Sequence, residues 1–337
     1  GGVGRAPDGE LLIVGRRGFV FHHGASGLTK LDITPPSNNL DRLKQQFADG
    51  VFSDSGFRED GFRFNDVLAI QVEDEWRLLL SYTEWFEEDL CFTNTLASAV
   101  VGDEDWSNWR VGEDDWRIVR RAAPCIPYRP GSAIIEGIEA GGRLAAVDDR
   151  RVIWSSGSYG RDDQYLRQSI PPNETLAQRD DTEYGKVLRI DLVSEEVEIL
   201  AKGLRNPQGL ALAATGDIWV TDHGMRGGDE LNRIPADPAA ERPNFGHPLV
   251  NFGAHYNKKS IAASGQHEGH IGYTQPMMAF APSIAPSSVV SRDEFGGPWE
   301  GDVMIGALSG KVLRVVVEEG AVRLIEPIKV PGRIRDM

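Results

Sequence analysis

Apolar residues in this chain come in short runs, and turn-forming or acidic residues close nearly every one. Leu11–Val14 follows Pro7-Asp8-Gly9, Trp76–Tyr82 follows an acidic turn, Val152–Trp154 follows Asp148-Asp149 and Ile218–Val220 follows Gly216-Asp217. Val187–Leu192 and Val197–Leu200 flank Ser194-Glu195-Glu196, and Val312–Val317 and Val322–Ile325 flank Glu318-Glu319-Gly320; both pairs read as hairpins. Helical periodicity is scarce and predicts one short helix over Asn39–Phe47, where Leu40, Leu43 and Phe47 fall at helical spacing. Many short strands with turns between them predict a sandwich, barrel or propeller. The strand clusters recur over residues 1–337 with no shift of composition that would mark a linker, so one domain is expected. The favoured fold class is all-β, a six-bladed β-propeller of roughly 56 residues per four-stranded blade.

Two stretches do not read as blades. Residues 155–185 form a polar segment, and residues 253–276 carry three of the seven His. Connections this long in a compact domain are usually functional or disordered. Asn173-Glu174-Thr175 has the N-glycosylation pattern, which matters only in a eukaryotic secretory pathway.

A hydrophobic content of 40%, with eight Trp and thirteen Phe, is ample for a packed interior. The formal charge of −15 argues against a nucleic-acid partner, because phosphates call for concentrated Lys and Arg. No apolar run reaches the ~18 residues of a membrane span. The chain begins at Gly1 and soon enters strand-like sequence, which suits a processed or trimmed chain. Cys91 and Cys125 lack metal-ligand spacing. They are either two buried thiols or, in an exported protein, one disulfide worth roughly 2–4 kcal/mol.

Candidate chemistry concentrates in RNPQGLALAATGDIWVTDHGMRGGDELN, residues 205–232. Arg205 and Asn206 precede a strand; the first offers a planar fork for a carboxylate or phosphate, the second a donor and an acceptor. After the strand, His223-Gly224-Met225-Arg226-Gly227-Gly228-Asp229-Glu230 is a turn whose glycines admit a ligand close to the backbone. Carbonyls beside the Asp229 and Glu230 carboxylates suit a hard cation such as calcium; an ordinary connecting loop with solvated charges is the alternative. Arg333 and Arg335 fall on one side of a strand and repel each other unless an anion or carboxylates lie between them.

RNPQG, DHG-x-x-GGDELN, Asn-Phe-Gly-His-Pro at 244–248, PSIAPSS at 282–288, GALSGKVLRV at 306–315 and GRIRD at 332–336 occur in one order along the chain. In that order they resemble the glucose/sorbosone dehydrogenase family, soluble aldose dehydrogenases that use pyrroloquinoline quinone (PQQ). The resemblance covers residues 131–337 and is looser before them, where PDGELLIVGRRG is similar to the family's opening blade. It implies a six-bladed propeller with the quinone flat over the central mouth. Arg205 and Asn206 would then contact the quinone near its reactive carbonyls, with His223 beside them. Gly224 and Met225 would offer backbone oxygens to a quinone-bound calcium, next to Asp229 and Glu230. Arg333 and Arg335 would bind the cofactor's carboxylates. The substrate would be a sugar or related alcohol, and the location periplasmic or secreted.

The chain departs from the family pattern at the reaction centre. Glu139, in Glu139-Ala140-Gly141-Gly142-Arg143, stands where the family has its catalytic His; Ser158 stands for the Asp that supports that His, and Ser309 for a cofactor-binding Lys. Met225 replaces a Pro at the calcium turn, a milder change because that contact is through the backbone. A carboxylate can still abstract an alcohol proton, so two functions remain open. One is a PQQ- and calcium-dependent dehydrogenase with Glu139 as base. The other is a redox-inactive propeller binding a carbohydrate, peptide or other anionic ligand. Weaker features are the near-repeat GDEDW (102–106) and GEDDW (112–116), whose Trp rings suit blade packing or sugar stacking, and His267-Glu268-Gly269-His270, short for a metal motif.

Overall fold

The structure, a computed structural model, describes residues 1–52, 59–128, 137–161, 175–237, 242–254, 270–291 and 297–337. Asn173, Glu174, His267, Glu268 and much of both long polar segments lie outside the described residues. Among the described residues the fold is an all-β propeller of five antiparallel meanders, each running outward from its first strand. Blade 1 is Val3–Arg5, Leu11–Val14, Val20–Gly24 and Gly27–Lys30. Blade 2 is Phe64–Val72, Glu75–Phe86, Cys91–Gly102 and Arg117–Arg121, with Ile126–Pro127 added beside the start of its third strand. Blade 3 is Gly141–Ala146, Arg151–Ser156, Lys186–Asp191 and Val197–Lys202. Blade 4 is Pro207–Leu212, Ile218–Asp222, Asp229–Ile234 and Met278–Phe280; blade 5 is Pro286–Ser291, Val303–Ala307, Lys311–Glu318 and Ala321–Lys329.

The expectation of six blades is corrected to five. Dividing the length evenly assumed blades of similar size, whereas blade 2 has strands of 9, 12 and 12 residues and blade 1 none longer than five. Long connections before blade 2, within blade 3 and within blade 4 take up the rest. The expected helix is Leu40–Ala48, one residue beyond the sequence reading; it packs Leu43 into the core, and Gln46 Oε1 accepts the Trp85 indole N–H at 2.9 Å. Among the described residues no helix is long and apolar enough to cross a membrane.

Alternation along the strands sends one face of each blade against its neighbour. Leu12, Leu78 and Trp109 pack between blades 1 and 2, and Trp85, Phe92 and Trp154 between blades 2 and 3. Val187, Leu210 and Val220 pack between blades 3 and 4, and Leu231, Val289 and Ile305 between blades 4 and 5. Each such fully buried large side chain contributes about 1.5–3 kcal/mol. Between blades 5 and 1 lies instead a cavity of about 830 Å³. Cys91 and Cys125 form a disulfide across a sequence separation of 34, tying the third strand of blade 2 to the segment leaving that blade. Closing such a loop is worth about 4 kcal/mol on chain-entropy reasoning.

The first strand of every blade lines the axis, and Arg143 from blade 3 joins them. Its Nε–H donates to Gln208 O of blade 4 (2.7 Å), and Nη2 donates to Ser287 O of blade 5 (2.9 Å) and to Arg335 O (3.1 Å). Nη1 meets Asp66 of blade 2 at 3.3 Å and is ion-paired with Asp336. Asp336 Oδ2 also accepts Val3 N–H of blade 1 at 2.7 Å. Five guanidinium donors thus find five acceptors, the full complement of the group. Residues 330–337 form no strand but run along the axis into this hub.

Candidate active site at the axial mouth

Glu139 sits in the loop leading into the first strand of blade 3, with left-handed backbone (φ 59°). Gly157 makes room for it, since a Cβ there would lie 1.9 Å from Glu139 O. Gly142, at φ 88°, lets the strand pass Asn65, whose Cβ would be 2.5 Å from an added side chain. Glu139 and Arg205 are both buried and form an ion pair through Oε1 and Nη2. Arg205 Nη1 also donates to the carbonyls of His223 (3.2 Å) and Gly224 (3.0 Å). Residues 66 positions apart in sequence therefore meet in one buried cluster.

The loop carrying Arg205 and Asn206 is held from below by Asp222, whose two carboxylate oxygens accept their backbone N–H groups at 2.8 and 2.5 Å. Burial first, and then Glu230 directly across the strand pair, push the Asp222 carboxyl up to about 7. Its folded value lies above the ordinary value of about 3.9, so the folded state keeps a proton that the unfolded state releases. Its stabilising contribution is complete below about pH 4 and is lost as pH rises through about 7. Asp222→Asn is expected to make the decline in thermal midpoint between about pH 5 and 7.5 less steep than in the parent protein. An unchanged slope in calorimetric scans would refute it.

His223 donates from Nε2 to Pro286 O at 2.5 Å, and burial of the ring together with the Arg205 charge pushes it down to about 4. It is neutral at physiological pH. The turn after it is braced from inside: Asp229 Oδ1 accepts Gly224 N–H (2.9 Å), and Oδ2 accepts those of Ile284 (2.7 Å) and Ala285 (2.8 Å). Glu230 faces away, accepting from Asn232 at 3.1 Å and meeting His270 Nε2 at 3.0 Å. Met225 is buried. Three of the four donors expected to hold calcium are thus engaged within the protein: the Gly224 carbonyl by a guanidinium, Asp229 by backbone N–H groups, Glu230 by a histidine. As arranged, this set does not fit a calcium ion.

The cavity between blades 5 and 1 opens beside this cluster and is lined by Arg63, Asn65, Gln208, Arg333 and Arg335. Among the described residues neither Arg333 nor Arg335 has a carboxylate partner. Burial and the neighbouring Arg333 pull the Arg335 guanidinium below its ordinary value, and burial, Arg335 and Arg143 do the same to Arg63. Guanidiniums crowded so that Arg333 acts on Arg335 and Arg335 on Arg63 mark a place where an anion is favourable. Arg335 also lies near enough to His223 to act on its charge, so the cavity and the buried cluster adjoin. The cavity's volume, and its excess of guanidiniums over the two carboxylates that also line it, Asp60 and Asp336, suit a polycarboxylate such as PQQ. Arg63 and Gln208 were not singled out in the sequence; each sits where the chain enters an inner strand, as Arg205 does, and that shared position was the available signal. Ser158 lies behind Arg205, its N–H donating to Arg205 O at 2.8 Å, while Ser309 is exposed in a turn beside the cavity-lining Leu308.

The family model described as Glucose / Sorbosone dehydrogenase matches residues 127–337, more than half of the chain. The chain belongs to the glucose/sorbosone dehydrogenase family. An uncharacterised protein of Synechocystis sp. is 27% identical over 245 residues, covering 66% of this chain and 54% of its own length. An aldose sugar dehydrogenase of Escherichia coli is 34% identical over 128 residues, 36% of this chain and 32% of that protein. The chain therefore spans about half the length, or less, of these curated relatives. The structure of the PQQ-bound form of aldose sugar dehydrogenase from Streptomyces coelicolor is similar with a TM-score of 0.60 at 17% identity, covering 99% of this chain and 83% of that one. That likeness establishes the propeller fold.

Proposed function

We infer that the chain is a quinone-dependent dehydrogenase of a sugar or related alcohol, with PQQ held in the axial cradle and Glu139 as proton acceptor. The observation that carries this reading is the crowding of the Arg63, Arg333 and Arg335 guanidiniums around a cavity that adjoins the Glu139–Arg205 cluster at His223. Arg333 and Arg335 would face the carboxylates of PQQ, with Asn206 and Gln208 as polar partners along its edge. When bound, PQQ supplies the two-electron acceptor. The residues' own work is to orient the substrate hydroxyl and take its proton, Glu139 being the base and Arg205 its countercharge. Calcium is no part of this reading, because three of its four expected donors are engaged. The disulfide supports a periplasmic or extracellular location, where such bonds persist.

One observation favours a second reading, a propeller that binds a carbohydrate, peptide or other anionic ligand without redox chemistry: the buried Glu139–Arg205 pair joins the base to a quinone-contacting arginine. Calorimetric titration with PQQ, followed by dye reduction against an aldose panel, separates the two. Saturable binding with turnover is expected. Binding without turnover on any sugar would favour the second reading, and no heat of binding would overturn the cofactor assignment.

A further inference from the structure

On blade 1, away from the axial mouth, His22 is almost fully buried at 1% exposure and points its Nε2 between two carboxylates. Nε2 lies 3.2 Å from Asp8 Oδ2 and 3.3 Å from Glu10 Oε2, and the three atoms fall within 4.8 Å of one another. Each part is fixed by something outside the triangle. Asp8 Oδ1 accepts Glu10 N–H at 2.9 Å, and Glu10 Oε1 accepts Ala25 N–H at 3.1 Å, so each carboxylate turns one oxygen to the backbone and the other to the histidine. The imidazole is stacked on Trp106 from blade 2, with ring centroids 3.7 Å apart and planes inclined by 14°. The indole N–H of Trp106 donates to Asp8 Oδ2 at 2.7 Å. Gly24 leaves the space that Glu10 fills: a Cβ there would lie 1.6 Å from Glu10 Oε2.

We propose that Asp8, Glu10 and His22 form a binding site for a divalent transition-metal cation, with zinc as its test case. A single Nε2–H shared between both carboxylate oxygens makes only a three-centre bond, long on each side, whereas a cation at the centre of the triangle reaches all three atoms. Tetrahedral zinc with bonds of about 2.0–2.1 Å separates its ligand atoms by about 3.3 Å, the spacing already present on two sides. An imidazole nitrogen among the donors selects a transition metal over calcium or magnesium. The indole N–H on Asp8 is the kind of outer hydrogen bond that orients a metal-bound carboxylate. Both carboxylates are about a third exposed, at 36% and 39%, which leaves a side of the site open to water as the remaining ligand. Through Trp106 the metal would clip blade 1 to blade 2, a structural role independent of the axial chemistry.

The test is a zinc titration of the chelator-treated chain by calorimetry, with cobalt absorption as a second reading of the coordination. One equivalent of zinc is expected to bind with micromolar or tighter affinity and to raise the thermal midpoint. Asp8→Asn and Glu10→Gln change partly exposed side chains at constant shape, so both variants are expected to fold, and each to weaken binding tenfold or more. The absence of zinc binding, which would leave His22 hydrogen-bonded to the carboxylates only, overturns the proposal. So does binding of equal strength in both variants, which would place the metal elsewhere.

Discussion

Arg143→Leu is expected to lower the stability of the fold by about 3–5 kcal/mol, the range for removing one partner of a buried ion pair. Asp66 and Asp336 would be left facing each other with no cation, and the carbonyls of Gln208, Ser287 and Arg335 would lose their donor. Burial already pushes the Asp66 carboxyl up to about 7 with the guanidinium in place, so without it the site tolerates the charge still less. Domains of this kind hold only about 5–15 kcal/mol in total, so the variant sits near the edge of unfolding. Arg143→Lys keeps the charge but not the planar five-donor fork and should fall between the two. Denaturant titration measures all three proteins. A loss below about 1 kcal/mol for the leucine variant would remove Arg143 from the role of axial hub.

Glu139→Gln is expected to lower turnover of the quinone-loaded protein by about 10²–10⁴-fold, the usual contribution of a general base. Glutamine has the shape of glutamate and can still accept the Arg205 N–H, so the loop and the affinity for PQQ should persist. The loss should therefore fall on kcat rather than KM. A variant that binds PQQ normally and turns over at the parent rate would exclude Glu139 from proton transfer. Spectrophotometric titration of the quinone alongside the dye assay separates that result from failed cofactor loading.

Much of the fold was legible because strand and turn chemistry are local. Leu11–Val14 was located to the residue, and the hairpin around Ser194-Glu195-Glu196 came within two residues of its observed ends. The blade number was not legible. It depends on how much chain the connections take up, and hydrophobic alternation looks the same whether it belongs to a strand of five residues or of twelve. At the site, Arg205, Glu139, His223 and Gly224 were named from ordered motifs and do meet. Their actual bonds could not be read from the sequence: an acidic residue in a glycine turn looks equally suited to a cation and, as for Asp229, to three backbone N–H groups. Arg143 passed unremarked, because its importance comes from partners spread over 270 positions that only closure of the ring brings together; Asp66 and Asp336 mark the two ends of that span.

The segment that presents Arg333 and Arg335 to the cavity also carries the Arg335 carbonyl and the Asp336 carboxylate that lock onto Arg143. Occupancy and melting are therefore linked equilibria: a compound that settles this segment tightens the whole ring. Each tenfold rise in ligand above saturation adds about 1.4 kcal/mol to the unfolding free energy. A thermal-shift survey of carboxylated compounds would rank candidate guests without any assay of their chemistry.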